Sequence, residues 1–135
     1  MDNNRVKTVY DFTEFCAKVL EIKSKPKVYL TEDNSWALQR RSFGEYNPSS
    51  NTITVYSKNR NMADILRTLA HEMIHHKQNE NGMLKPGSGK TGSKIENQAN
   101  SMAGVILREY GKMKEVIYET IKEKNKNTQL WLHQR

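Results

Sequence analysis

Residues 62–78 constrain this chain more than any other segment does. Met62, Ile65, Leu66, Leu69 and Met73 fall at i, i+3, i+4, i+7 and i+11, a continuous apolar stripe that predicts a helix. His71 and His75 stand on nearly the opposite face, four residues and about one turn apart. Such a helix packs its stripe on a sheet while the histidine face looks into a cleft. With 135 residues, 36% of them hydrophobic and 27% charged, the chain has material for one modest core and a single domain over residues 1–135.

Around that helix the sequence reads as a short α+β protein. Phe12, Phe15, Cys16, Val19 and Leu20 line one side of a helix predicted over residues 11–23, stopped by Pro26. Residues 27–30 (KVYL) read as a short strand, and residues 37–46 as a second. The run Asn47-Pro-Ser-Ser-Asn51 is a dense turn signal, and residues 52–56 alternate as a half-buried strand does, so the last two strands should form a hairpin. Residues 81–92 read as a loop. Ser93 opens a helix to about residue 110, with Gly111 as its stop, and a further helix is predicted over 112–124. Residues 1–10 and 125–135 are expected to be flexible. The expected order is helix, short antiparallel or mixed three-stranded sheet, then three helices.

The segment His71-Glu-Met-Ile-His75 carries the chemistry. Two imidazoles one helical turn apart suit ligation of a single metal ion at about 2.0–2.1 Å. Glu72 lies a quarter-turn off the ligand direction, where it can act on a water at the metal without binding the metal itself. Zinc is the ion this donor type favours. A catalytic zinc usually takes three protein ligands and leaves one position open. No histidine follows at the spacing HExxHxxGxxH requires, since position 78 is Gln and position 81 is Asn.

Glu96 is the better third ligand. It shares a helix face with Ala99, Asn100, Ala103, Leu107 and Tyr110, and the two small alanines allow close approach to the histidine helix. Asn100, one turn on, can hydrogen-bond a ligand histidine. Ser93 and Glu96 also form a capping-box pattern, in which the carboxylate would fold back on its own helix. Glu80, Glu109 and His76 lack comparable small-residue faces, and His133 falls in the polar tail. PGSGKTGS (86–93) is similar to a phosphate-binding loop but has Leu84 where that motif needs Gly, so nucleotide binding is rejected.

Three segments, FGEYNPSSNTITVY (43–56), LAHEMIHHKQ (69–78) and IENQANSMAG (95–104), together resemble gluzincins, zinc peptidases that combine HExxH with a downstream glutamate. The likeness is to the minimal ImmA/IrrE-type members and covers less than half of the chain. It implies a small zincin-like domain, His71, His75 and Glu96 as zinc ligands, Glu72 as general base, and an extended peptide bound along the edge strand at 37–46. Asn100 stands where many gluzincins carry an aspartate, and lacks its charge. Tyr110, Tyr46 and His76 are the candidates for an oxyanion-stabilising residue. Compact proteins of this sort also occur in bacteriophages, which would place the activity in an infected host cell.

The expected function is therefore a zinc-dependent endopeptidase acting on a protein or peptide. Arg40 and Arg41 beside the expected edge strand would favour an acidic substrate. Two rivals remain: a DNA-associated protease of the SprT-like kind, and a non-catalytic zinc-binding protein. The net charge of +7 suits acidic partners, but its Lys and Arg residues are spread along the chain without a nucleic-acid-binding motif. No stretch approaches the about 20 apolar residues of a membrane span. A single cysteine, Cys16, excludes an internal disulfide; with no apolar leader, a cytoplasmic setting is expected, and Cys16 reads as core.

Overall fold

The computed structural model describes residues 3–84 and 93–114. The expected helix over 112–124 and the tail after it fall outside these from residue 115 onward, as does the phosphate-loop-like run except Ser93. Four helices and a three-stranded mixed sheet follow in the order α1 (Asn3–Val19), β1 (Lys27–Thr31), α2 (Asn34–Arg40), β2 (Gly44–Asn47), β3 (Thr52–Tyr56), α3 (Met62–Glu80) and α4 (Lys94–Met113). The architecture is α+β. Among the described residues no helix is long and apolar enough to cross a membrane.

The first helix starts far earlier than its aromatic residues indicate. Val9, Phe12, Thr13 and Cys16 are buried along one side, and Leu20 continues that row just past the helix end. Val9 extends the stripe into a segment whose polar composition conceals it. Arg5 pins the first turns by donating from its guanidinium to the Arg60 carbonyl at 2.8 Å. Residues 3–10 are thus helical. The helix also ends before the predicted residue 23. The N–H of Glu21 reaches Lys18 and that of Ile22 reaches Ala17, with Glu21 at φ 53°, a left-handed C-terminal cap formed without glycine. Burial raises the Cys16 thiol pKa, so the residue behaves as core.

Residues 37–46 are the clearest departure from the sequence reading. Only the last three of them are in a strand. Asp33 accepts from the Ser35 N–H at 2.9 Å and starts α2, whose Ala-Leu-Gln-Arg run favours helix. Arg41, at φ 50°, ends it. The hairpin is as expected: the Asn47 side chain accepts from the N–H groups of Ser49 and Ser50, and β2 pairs antiparallel with β3. β1 pairs with the other side of β3 in parallel, giving the order β1-β3-β2 and leaving β2 at an edge.

The third helix is the centre of the molecule, packed against α1, α4, β2 and β3. Ile65, Leu66, Leu69 and Met73 are fully buried, each stabilising the fold by about 1.5–3 kcal/mol. Its other face is less open than the stripe alone implies. The row Ala70–Ile74–Gln78 is buried on the side where Gln78 meets α4. The row Thr68–Glu72–His76 lies against β2, Glu72 beside Gly44 and His76 beside Tyr46. His71 and His75 occupy the wheel position between these rows, in the seam between α4 and β2. Gly111 does not stop α4; it is buried within the helix, next to Tyr110, which packs edge-on to Phe12 at 4.9 Å. Packing on α1 outweighs the roughly 1 kcal/mol helix penalty of one glycine.

Candidate metal centre

The seam brings three ligand atoms together. His71 Nε2 and His75 Nε2 are 3.0 Å apart. The Glu96 carboxylate places Oε1 3.1 Å from the first and Oε2 2.7 Å from the second. A tetrahedral ion with bonds of about 2.0–2.1 Å separates its ligand atoms by about 3.3 Å, so small side-chain adjustments would admit one. Ser93 caps α4 by accepting from the Glu96 N–H at 3.1 Å, while the Glu96 carboxylate turns to the histidines. The cap and the carboxylate's reach to the histidines are compatible, because the cap uses the backbone of Glu96 and the metal position uses its side chain.

Gln78 explains the orientation of His75. Its Nε2 donates to the Ile95 carbonyl at 3.1 Å and to Gln98 Oε1 at 2.7 Å, so its own Oε1 must be the atom 2.8 Å from His75 Nδ1. His75 therefore carries a proton on Nδ1 and, as a neutral ring, turns a lone pair on Nε2 toward Glu96. Two acceptors 2.7 Å apart need a positive charge between them, either a proton or a metal ion. For His71, burial first and then His75 hold the ring pKa below its ordinary value, against the pull of Glu96 and of a hydrogen bond that the ring donates to Asn100. A second proton on His71 is thus disfavoured, and two imidazoles with one carboxylate form a donor set that fits a divalent ion. Sequence reading passed over Gln78 as a mere non-histidine; its position i+3 from His75 was the available signal. Replacing Gln78 with Leu should weaken zinc affinity by about 10–100-fold with the three ligands intact, measured by competition with a chelator.

Glu72 sits on the β2 side of the same seam. Its pKa is pushed up to about 8, by burial first and then by the charges of Glu96 and Glu45. Gly44 is what lets the strand come so close: a Cβ there would lie 2.5 Å from Thr68 Cγ2 and 3.1 Å from Glu72 Oε2. The first residues of β2 and α3 enclose a cleft of about 280 Å³ that opens onto His71, Glu72 and Asn100. A larger hollow of about 570 Å³ lies between α1 and the end of α4, and among the described residues it holds no comparable donor set.

The remaining candidates are engaged elsewhere. Tyr46 and His76 share a 2.9 Å hydrogen bond; His76 Nε2 donates to the Ser24 carbonyl, and Asn79 donates to the Tyr46 hydroxyl. Glu80 accepts from the N–H groups of Lys23 and Ser24. This cluster ties the α1–β1 turn to the end of α3 and holds the helix that bears the histidines. Tyr110 is in the core with Phe12 and Phe15, so none of the three expected oxyanion residues faces the seam. Glu109 pairs with Lys112. Arg40 pairs with Glu45 at 3.0 Å over the Trp36 ring, and Arg41 is a helix cap; the arginines that line the cleft are Arg60 and Arg67. His133 is outside the described residues. No family model, no curated protein and no solved structure matches this chain.

Proposed function

We propose that this protein is a zinc-dependent endopeptidase, a minimal gluzincin-like domain that hydrolyses a peptide bond in a protein substrate. The observation that carries the reading is the approach of His75 Nε2 to Glu96 Oε2 at 2.7 Å, with the ring held in the metal-binding tautomer by Gln78. His71, His75 and Glu96 hold the ion. When bound, zinc supplies Lewis acidity, polarising a carbonyl and bringing the pKa of water toward 7. Glu72 takes the proton of the attacking water and returns it to the leaving nitrogen. A neighbouring divalent charge favours the carboxylate form and so reverses the upward shift that burial imposes on Glu72. The short edge strand β2 runs beside Glu72, and an extended peptide pairing with its free side would bring a carbonyl to the ligands.

Native mass spectrometry of the full chain tests the centre directly. One zinc per chain is expected, with the Glu96→Ala variant losing most of its zinc at a free concentration that saturates the unaltered protein. A chain that takes up no zinc when supplied with excess would end the peptidase reading.

A further inference from the structure

We propose that Arg67, with Arg60 behind it, forms a subsite that selects an aspartate or glutamate side chain of the substrate within two residues of the scissile bond. The proposal rests on the peptidase reading above and adds the substrate class. Both guanidinium-bearing residues line the cleft that also contains His71 and Glu72. Arg67 lies about one helical turn before His71, roughly 6 Å along the axis. An extended peptide advances about 3.3 Å per residue, so a side chain one or two positions from the reacting carbonyl reaches that turn.

The two arginines differ in how they are held. Arg60 is half-buried and fixed: it donates to the Tyr56 carbonyl at 2.9 Å, to the Asp64 carbonyl at 3.1 Å and to Thr68 Oγ1 at 2.8 Å. Its guanidinium also lies 4.4 Å from the centre of the Phe43 ring, which places a fixed cation beside the aromatic residue of the cleft. Arg67 is exposed, and among the described residues no hydrogen bond or ion pair engages it. Asp64 offsets one of the two positive charges, and Glu72 is committed to the seam. The rest of the cleft wall is small or polar, with Ser42, Gly44 and Thr68. A free guanidinium at the mouth of this cleft is matched by a carboxylate, which it can bind through two parallel hydrogen bonds.

Three acyl-dipeptide hydroxamates that differ only in one side chain, Glu, Gln or Lys, provide the test. Their affinities for the zinc-loaded full chain are measured by titration calorimetry, with zinc content determined on the same samples. The Glu compound should bind about 10-fold tighter than the Gln compound, an advantage that shrinks at high salt, and the Lys compound should bind weakest. Arg67→Ala should erase the Glu preference and Arg67→Glu should reverse the order of Glu and Lys, both with zinc content unchanged. Equal binding of all three compounds to a zinc-loaded chain would overturn the subsite and leave the metal centre standing. Absence of both zinc and hydroxamate binding would overturn the peptidase reading, and the subsite with it.

Discussion

Replacing Glu72 with Gln is expected to leave zinc content unchanged and to lower peptide cleavage by about 10²–10⁴-fold, the usual contribution of a positioned general base. The amide keeps the shape that fits against Gly44 and Thr68 but cannot accept the proton. Cleavage of a denatured protein mixture, with zinc quantified in parallel, reads both effects. Undiminished function in the Glu72→Gln variant would instead identify a metal-binding module that does not turn over substrate.

The same substitution has a signature in the metal-free protein. The Glu72 pKa rises from its ordinary value of 4.5 to about 8 in the folded chain, so the folded state holds a proton that the unfolded state releases. The associated stability is fully present below pH 4.5 and is lost as pH rises through about 8. The Glu72 contribution should therefore fall between pH 5 and pH 9 by several kcal/mol in the metal-free protein, and the Glu72→Gln variant should lose that fall and keep only the rise in stability that His71 gives as pH passes through the imidazole range. Chemical denaturation in the presence of a chelator measures the difference.

Zinc itself should stabilise the chain strongly. An ion that binds only the folded state contributes about 4 kcal/mol at a free concentration 1,000 times its Kd. For a chain of this length that corresponds to a rise of roughly 12–20 °C in Tm. The double variant His71→Ala, His75→Ala should show no rise, because only one ligand remains. The gain would originate in the seam, where ligand atoms of His71, His75 and Glu96 already lie within 3.1 Å of one another. A calorimetric scan in which zinc leaves the Tm of the unaltered protein in place would show that these three groups do not bind it.

Much of the centre was legible in the chain because helix geometry is local. The i, i+4 spacing of His71 and His75 puts both rings on one face in any helix, and the stripe from Met62 to Met73 fixes which face that is. The NPSSN turn was equally legible, since Asn47 organises it through its own side chain. Alternation also located the buried residues Ile53 and Val55. Short weak elements were not legible: residues 37–46 contain enough apolar residues to pass as a strand, yet a cap at Asp33 and good helix formers turn 34–40 into α2.

What the tertiary structure decided is how separate segments meet, because no local spacing encodes a contact across 15 or 30 residues. Glu96 had two uses in the sequence, and only the packing of α4 on α3 directs its carboxylate to the histidines while its backbone takes the cap. Gln78 carries no motif, but once α4 covers it, its three hydrogen bonds set the tautomer of His75. Gly44 matters only because β2 lies against Thr68 and Glu72, and Arg60 and Arg67 line the cleft only because that strand begins beside them. The sequence alone determined the helix, the face and the identity of the candidate ligand groups; tertiary packing determined their convergence, because distance and desolvation between elements arise only when the core forms.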